Sequence, residues 1–383
     1  MKVGIVAAAQ TRFGEYPQWR PHELTYLAVE SVLKKAGLPF RDGYDDIVTC
    51  SSDHWDGKTL SDIEHGEVAG AHLGPGEEKV GIDGADAVAL GCIKLLSGHA
   101  DVVLVTAACK ENDVLDPCVI ENFGFDVPYQ QLIGLDFTQA AALQAMSYMG
   151  GSGPAREDFA LAAVHCRRNA VANPYMACRE EVTLDEVLAS QMLSYPISSL
   201  ERKPACDGAC ALVLATEKRA RKLTDRPVWI TGIGSCYDSH NLGDRDLADP
   251  WVLSRAARDA YAMAGIGDPS QEIQIAEISE HYSYQFLLWL EGTGFCRTGE
   301  AAGLLRSGAL GREGSRPANG SGGLLGGVPR YVAGANRVIE AYFALGGERG
   351  RVPEGKEPRV ALAHGTYGPA GQHHCVIILE RGF

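Results

Sequence analysis

The chain repeats one order of helices and strands, and this repeat limits its possible folds more than any other feature. The segment AVESVLKKAGLPFRDGYDDIVT, residues 28–49, aligns with AARDAYAMAGIGDPSQEIQIAEIS, residues 256–279. In both segments an amphipathic helix ends at Ala-Gly-Leu or Ala-Gly-Ile, and an apolar strand follows. Two copies of one unit should pack about a pseudo-twofold axis, so equivalent helices should meet at the centre.

Each copy alternates helices with apolar strands. In the first half we predict a strand at 3–8, a helix at 22–36, a strand at 46–50, a helix at 84–96, and strands at 101–107 and 209–215. In the second half we predict a strand at 228–233, a helix at 251–264, a strand at 273–278, a helix at 331–344, and strands at 359–363 and 374–379. Unbroken apolar strands joined through helices indicate an α/β fold with two largely parallel sheets and helices on both faces.

We therefore predict two halves, residues 1–225 and 226–383, each built as a βαβαβ unit. Residues 113–203 have no counterpart in the second half, and we interpret them as an inserted loop domain with its own helix at 156–172. A long insertion over one face of a domain commonly carries substrate contacts.

Composition excludes several classes of function. The net charge of −14 argues against nucleic-acid binding, because no basic patch would neutralise phosphates. No apolar run approaches the ~20 residues needed to cross a bilayer. Met1-Lys2 leads directly into a predicted strand without a signal peptide. We therefore predict a cytoplasmic protein that does not contact membranes. The eleven cysteines form no C-x-x-C pair, and His364, His373, His374 and Cys375 lack the spacing of metal ligands, so we predict free thiols and no metal.

A glycine corner precedes the helix at 84–96. Gly81-Ile82-Asp83-Gly84 places free N–H groups at a helix N-terminus, where an anion or an activated nucleophile is favoured, but no Cys, Ser or Thr stands there. Asp83 suits the N-cap and Asp86 the capping-box position three residues later. Asp83 is also a candidate catalytic carboxylate.

Two strand ends carry side chains suited to acid/base chemistry. AEISEHYSYQF places Glu280, His281, Tyr282 and Tyr284 at the carboxyl end of a predicted central strand, where open α/β sheets bind ligands. AHGTYGPAGQHH places His364 and Tyr367 on a glycine-rich turn after another strand. The alternative for the first site is that its aromatic residues only pack in the core. The alternative for the second site is a hairpin loop with surface histidines.

A glycine-rich segment, PANGSGGLLGGVP at residues 317–329, leads into the second central helix. Glycines such as Gly323 would permit a ligand to approach the backbone closely, although a plain flexible loop is an equal alternative. The segment lacks the G-x-x-x-x-G-K-[ST] pattern of a phosphate loop.

The repeat, the insertion and several stretches together resemble the thiolase superfamily, in particular the sterol-carrier-type thiolases. The similar stretches are VTLDEVLASQMLSYPIS (182–198), CDGACALVLATEKRA (206–220) and GFCRTGEAAGLLRSGALGREGSRPANGSGGLLGG (294–327). The resemblance covers nearly the whole chain. It implies a five-layer αβαβα fold with the inserted loop domain.

The chemical motifs depart from those of a thiolase. Matching Gly84 and Ala87 to C-x-[ST]-G-x-x-A puts the nucleophilic Cys at Gly81, and the His of G-H-P-x-G-A-x-G falls on Val328, with its middle Gly on Tyr331. Without the Cys no thioester can form on the protein at that position, which disfavours an ordinary thiolase.

The substitutions are similar to those of the steroid side-chain aldolases, a branch that cleaves β-hydroxyacyl-CoA by retro-aldol chemistry. The resemblance implies an acyl-CoA lyase of lipid or steroid metabolism that needs no cofactor beyond the coenzyme A of its substrate, and that forms a homodimer with a small partner carrying an OB-fold and a zinc ribbon. Candidate bases or proton relays are Glu280, His281, Tyr331 and His364, and candidate substrate-binding residues are Gly81, Asp83, Gly84, Tyr282, Gly323 and Tyr367, with the 81–84 amides holding an enolate oxygen. A non-catalytic subunit of a heteromeric thiolase and an acyltransferase with atypical residues remain alternatives.

Overall fold

The computed structural model describes residues 2–346 and 357–383. Within these ranges the strands are β1 (Val3–Gln10), β2 (Asp46–Cys50), β3 (Gly76–Val80), β4 (Val102–Lys110), β5 (Met192–Ser194), β6 (Ile197–Ser198), β7 (Asp207–Thr216), β8 (Val228–Tyr237), β9 (Ile275–Glu277), β10 (Val360–Tyr367) and β11 (His373–Arg381). The helices are α1 (Pro21–Ala36), α2 (Asp53–Asp56), α3 (Asp62–Val68), α4 (Gly84–Leu96), α5 (Pro117–Asn122), α6 (Phe137–Ser152), α7 (Arg156–Ala170), α8 (Leu184–Ala189), α9 (Glu217–Leu223), α10 (Trp251–Ala264), α11 (Pro269–Glu272), α12 (Ser283–Gly292), α13 (Ala301–Arg306) and α14 (Ala333–Gly346).

Nine strands form one sheet whose order shows the duplication. The order is β3-β2-β4-β7-β1-β8-β11-β10-β9, and β1 pairs with β8 antiparallel at the centre. Read outward from this pair, β7 corresponds to β11, β4 to β10, and β2 to β9. The predicted internal repeat is confirmed.

The expectation of two separate, largely parallel sheets needs correction. In the first half β7 lies between β4 and β1 and is antiparallel to both. In the second half β11 lies between β10 and β8 and is antiparallel to both. Parallel neighbours remain between β2 and β3, β2 and β4, and β9 and β10. In the first half β7 follows β4 through the whole inserted region, and in the second half β11 follows β10 through a hairpin. Neither connection is the single crossover helix of a parallel pair, so each strand returns antiparallel to the one before it.

The helices form layers around the sheet. α4 and α14 contact each other and strands of both halves, whereas α1 packs on β1, β4 and β7, and α10 packs on β8 and β11. The order of layers is therefore helix, strands of one half, central helices, strands of the other half, helix, with the two strand layers joined where β1 pairs with β8. This is the five-layer arrangement that the resemblance implied. A Cβ on Gly84 would lie 2.6 Å from the Cβ of Ala335, so a glycine lets the two central helices approach.

The inserted region, residues 113–203, contains α5 to α8 and the two-stranded β5-β6 sheet, and its helix α7 packs on α12 of the second half. α12 was not among the predicted elements. Every residue of α12 is buried, so it lacks the polar face that would reveal a helix by periodicity. The division at residue 225 stays a prediction. Among the described residues no helix is long and apolar enough to span a membrane.

Candidate active site

Two adjoining cavities lie where the strand ends of the second half meet the inserted region. The main cavity has a volume of about 180 Å³ and is lined by His281, Tyr282, Thr366 and Tyr367, among others. The inserted region contributes Pro117, Cys118, Glu121, Phe137, Arg202 and Lys203 to its wall. The inserted region therefore forms one wall of this cavity, and its predicted substrate contacts stay a prediction.

A second cavity of about 130 Å³ shares Trp55, Glu121, Phe137, Arg330 and Tyr367 with the main one. Its ring-bearing side chains are His54, Trp55, Phe123, Phe137, Tyr331 and Tyr367. We call it the aromatic side cavity. Tyr367 lines both cavities, and Tyr331 lines the side cavity, so their rings lie at the boundary between the two.

Tyr331 and Tyr367 form a hydroxyl pair. Their Oη atoms lie 2.9 Å apart, and either hydroxyl can be the donor. Burial raises the pKa of Tyr331, and Tyr367 raises it further. The Tyr331 hydroxyl therefore stays protonated near pH 7, with Ser52 as a further hydrogen-bond partner, and the tyrosine pair can both accept and donate a hydrogen bond.

His281 is held at the edge of the main cavity through its backbone. Its N–H donates to Gln285 Oε1 (3.0 Å), and its carbonyl accepts from Lys203 N–H (2.8 Å). Burial, with the positive charges of Arg330 and Lys203, holds the pKa of His281 well below its usual range. Its Nδ1 has no hydrogen-bond partner among the described residues, so the ring is a neutral proton acceptor beside the cavity.

Arg330 lies at the boundary of the two cavities, and the sequence analysis did not identify it. Its Nη2 donates to Glu121 Oε1 (2.6 Å) and its backbone N–H to Glu111 Oε1 (3.1 Å), while Lys203 Nζ donates to Glu111 Oε2 (2.6 Å). The guanidinium carbon lies 4.7 Å from the Trp55 ring centre and 5.5 Å from that of Phe137. Its position next to Tyr331, a predicted site residue, could have pointed to it. Its pairing with Glu111 and Glu121 could not be predicted, because both lie about 200 residues before it in the sequence.

The hairpin loop between β10 and β11 forms another wall, with Gly368, Ala370 and Gly371 facing the main cavity. Arg245 holds this loop from behind. Its Nη1 donates to Pro369 O (2.7 Å), and its Nη2 donates to Ala370 O (2.8 Å) and Gly371 O (3.2 Å). Because C=O and N–H point in opposite directions in a trans peptide, the following N–H groups face away from Arg245.

Glu280 does not line either cavity. Its Oε2 accepts from Asn319 Nδ2 (2.7 Å) and its Oε1 from Leu325 N–H (3.2 Å), and burial raises its pKa to about 7. A Cβ on Gly323 would lie 2.0 Å from Glu280 Oε1, so this glycine makes room for the carboxylate. The structure places the predicted base Glu280 and the predicted ligand contact Gly323 together, but beneath the glycine-rich segment and outside the cavities.

His364 is also outside the cavities. Ser279 N–H donates to its Nδ1 (3.4 Å), and its Nε2 lies 2.9 Å from His374 Nδ1, so the ring proton of His364 is on Nε2. Burial lowers the pKa of His364 to about 3. Both imidazoles are packed near the Trp289 ring, and the structure gives His364 no face toward a ligand.

The corner at residues 81–84 joins the central helices and does not line either cavity. Asp83 caps α4 through Ala85 N–H (2.9 Å), and its Oδ2 accepts from Gly334 N–H (3.0 Å). Burial raises the pKa of Asp83 to about 7, although these N–H groups oppose the shift. Gly81 is exposed and Gly84 packs on Ala335, which corrects the expectation that the 81–84 amides border a ligand site. Asp86 faces His373 Nε2 at 3.3 Å instead of closing a capping box.

The cysteines are all free, and Cys118 at the rim of the main cavity is the exposed one. In the part of the chain that the structure describes, no three His, Cys, Asp or Glu side chains are grouped so that they could hold a metal ion. Of the predicted site residues, the structure brings together His281, Tyr282, Tyr331 and Tyr367.

Comparison with known proteins identifies the family. The family model described as "Thiolase C-terminal domain-like" matches residues 234–381. The chain is 31% identical to the acetyl-CoA acetyltransferase of Methanothermobacter thermautotrophicus over 76% of each chain. It is 28% identical to the 17-hydroxy-3-oxo-4-pregnene-20-carboxyl-CoA lyase of Mycobacterium tuberculosis, over 90% of this chain and 92% of that protein.

A solved structure named "Ltp2-ChsH2(DUF35) aldolase" superposes with a TM-score of 0.85 and 25% identity, covering 99% of this chain and 98% of that chain. The chain belongs to the thiolase superfamily.

Proposed function

We propose that this protein cleaves a C–C bond of a β-hydroxyacyl-CoA by retro-aldol chemistry, without a covalent intermediate on the protein. The observation that carries the proposal is the Tyr331–Tyr367 hydroxyl pair at the junction of the two cavities. The family's nucleophile position is Gly81, which has no side chain and does not border the cavities. The names of a lyase and an aldolase among similar proteins support the same reaction class.

In this mechanism the β-hydroxyl of the substrate binds at the tyrosine pair. The β-hydroxyl proton leaves as the Cα–Cβ bond breaks, and the pair relays it toward neutral His281, whose Nδ1 is a free acceptor among the described residues. The bonding electrons pass to the thioester as an enolate. The proton that left the hydroxyl returns from His281 to Cα of the enolate, which leaves as a shorter acyl-CoA, while the β-carbon becomes an aldehyde or a ketone.

The thioester oxygen would bind at the β10–β11 hairpin loop. Arg245 fixes the carbonyls of Pro369, Ala370 and Gly371 on one side, so backbone N–H groups of this loop are preorganised to hold an enolate oxygen. In the proposed mechanism this loop takes the role of enolate binding that the sequence analysis gave to the amides of residues 81–84. The pantetheine and phosphates of the CoA would extend from the main cavity to the surface along Arg202, which is exposed and forms no ion pair among the described residues.

We also propose a homodimer and a partner with an OB-fold. Residues 115–133 of the inserted region expose apolar side chains next to the main cavity: Leu115, Val119, Phe123, Val127, Tyr129, Leu132 and Ile133. Exposed apolar surface of this extent favours a protein interface. The name of the solved aldolase that this chain resembles contains two components, Ltp2 and ChsH2.

The test is a pair of assays on the purified protein, with and without the product of the neighbouring gene. A β-hydroxyacyl-CoA should release an aldehyde or a ketone together with a shorter acyl-CoA. Cleavage of a β-ketoacyl-CoA that depends on added CoA would instead establish a thiolase. Inactivity in both assays, restored by a homologue that carries the Cys, would establish a non-catalytic subunit.

A further inference from the structure

The aromatic side cavity has the size and shape of a site for one ring. Its volume is about 130 Å³, and an apolar cavity of about 150 Å³ binds benzene in another protein. A fused-ring steroid skeleton is several times larger than one ring. The acyl group that enters this space is therefore small.

The walls of the side cavity favour an aromatic ring over an aliphatic one. Trp55, Phe137 and Tyr331 are 5%, 9% and 2% exposed, and their rings are fixed by packing. Aromatic walls can contact a ligand ring edge-to-face or in an offset stack, which a saturated ring cannot reproduce. The gain over a saturated ring is about two- to tenfold in affinity for each ring pair.

The charge inside the cavity is already balanced. Arg330 is paired with Glu121 at 2.6 Å, and Glu121 also accepts from Phe137 N–H (3.3 Å). A charged group on the ligand, carboxylate or cation, would therefore find no unpaired opposite charge in Arg330 or Glu121. The flat guanidinium beside Trp55 and Phe137 adds a planar polar surface on which an aromatic face can stack.

The tyrosine pair determines which carbon carries the ring. Tyr331 lines the side cavity and Tyr367 lines both cavities, so an oxygen bound at their hydroxyls lies at the junction. If that oxygen is the β-hydroxyl, the thioester extends into the main cavity and the substituent of the β-carbon extends into the side cavity.

We infer that the aromatic side cavity binds an aryl group on the β-carbon, so that the substrate is a β-aryl-β-hydroxyacyl-CoA. This assignment rests on the proposed retro-aldol function. In the reaction the Cα–Cβ bond breaks, its electron pair goes to the thioester enolate, and the hydroxyl proton leaves through the tyrosine pair. The products are an aromatic aldehyde or ketone and a shorter acyl-CoA, with no oxidant or reductant required.

Binding is tested separately from cleavage with two ligands that lack the hydroxyl, 3-phenylpropanoyl-CoA and 3-cyclohexylpropanoyl-CoA, titrated by calorimetry into the full chain. The phenyl ligand should bind about tenfold more tightly. Phe137→Leu should reduce this preference about two- to tenfold, as should Phe123→Leu, which changes a ring that is 57% exposed and so threatens the fold less. Phe125→Leu is the matched control, because Phe125 contacts Phe137 edge-on but does not line either cavity.

Equal affinities for the two ligands, or a preference that neither Phe137→Leu nor Phe123→Leu reduces, would overturn the inference. Cleavage is measured in parallel with 3-hydroxy-3-phenylpropanoyl-CoA and 3-hydroxyoctanoyl-CoA. A ring preference without cleavage of either thioester supports the aryl site and rejects the retro-aldol function. Efficient cleavage of the octanoyl compound without a ring preference rejects the aryl site and supports the function.

Discussion

At the scale of single residues, the same residue types carry different roles according to their surroundings. Tyr331 and Tyr367 meet at a cavity, whereas Glu280, on the turn that also carries His281, is turned inward onto Asn319 and Leu325. A carboxylate and an imidazole next to each other in sequence thus face different environments. A motif of acid/base residues at a strand end does not specify which of them reaches the ligand.

Removal of either hydroxyl of the tyrosine pair should slow the chemical step. We expect Tyr331→Phe and Tyr367→Phe each to lower kcat for β-hydroxyacyl-CoA cleavage by about 10² to 10⁴, with a smaller change in KM, because proton transfer is lost while the ring still packs. Tyr282→Phe is the control, since Tyr282 lines the main cavity together with Tyr367 but its hydroxyl pairs with Thr138 Oγ1 at 3.1 Å. Unchanged steady-state kinetics of both pair variants would contradict the mechanism.

Glu280 should influence stability through pH. Its folded pKa is raised to about 7 by burial, above the value of about 4.3 in an unfolded chain. Its contribution to the free energy of unfolding is therefore complete below about pH 4 and is lost as the pH rises through about 7. Asp83, with a pKa also raised to about 7, acts in the same direction.

We expect Glu280→Gln to flatten the pH dependence of the free energy of unfolding between about pH 4 and 7, as measured by urea denaturation. Glu30→Gln, which removes an exposed carboxylate, is the control. The variant should keep kcat within about threefold of the parent protein, because Glu280 does not line a cavity; a loss of about 10² or more would show that Glu280 takes part in catalysis.

At the scale of elements, local sequence predicted many boundaries well. α1 ends where Gly37 adopts a left-handed φ of 67°, and β2, α4 and α10 begin and end at the predicted residues. These elements have caps, glycine ends or clear periodicity. The edge strand β3 was missed because its sequence, Gly-Glu-Glu-Lys-Val, has no apolar alternation, and it exists through pairing with β2.

The contact between the central helices gives a prediction of its own. We expect Gly84→Ala to lower the free energy of unfolding by about 1–3 kcal/mol, because the new Cβ would lie 2.6 Å from Ala335 Cβ and 2.7 Å from its backbone nitrogen. Gly303→Ala in α13 is the matched control. No atom lies within 4 Å of a Cβ placed there, so this change should be neutral or stabilise the protein by up to about 1 kcal/mol. Equal stability of the two variants in guanidinium denaturation would contradict this packing.

At the scale of the whole molecule, the two halves share a sheet and a buried polar network. Gln10 of β1 donates to Glu340 of α14 (2.8 Å) and accepts from Asn336 of the same helix (2.6 Å). Arg337, fully buried, bonds to Glu277 at 2.8 Å and Ser321 at 2.9 Å. Separation of the halves would break the two hydrogen bonds of Gln10 to α14, on which the Arg337 cluster also lies, and the loss of buried hydrogen bonds is costly in a protein interior.

We therefore expect the chain to unfold in one cooperative transition, although its sequence contains two copies of a unit. Far-ultraviolet and near-ultraviolet circular dichroism should report the same midpoint. Residues 1–225 and 226–383, produced separately, should each lack a cooperative transition. A fragment that folds alone would contradict the shared core and would support an independent domain at that boundary.

The sequence by itself determined the repeat, the α/β class and the main helices and strands, because these depend on periodicity and on caps within a few residues. Only the tertiary structure decided the strand order, in which β7 and β11 lie between strands that run the other way. It also decided the site. Tyr331 meets Tyr367, and Arg330 meets Glu121, across long stretches of chain, and the direction of a side chain at a strand end depends on turns that are fixed by distant contacts. For the same reason, the 81–84 corner, which resembles the place of a nucleophile, joins two helices while the cavities lie elsewhere.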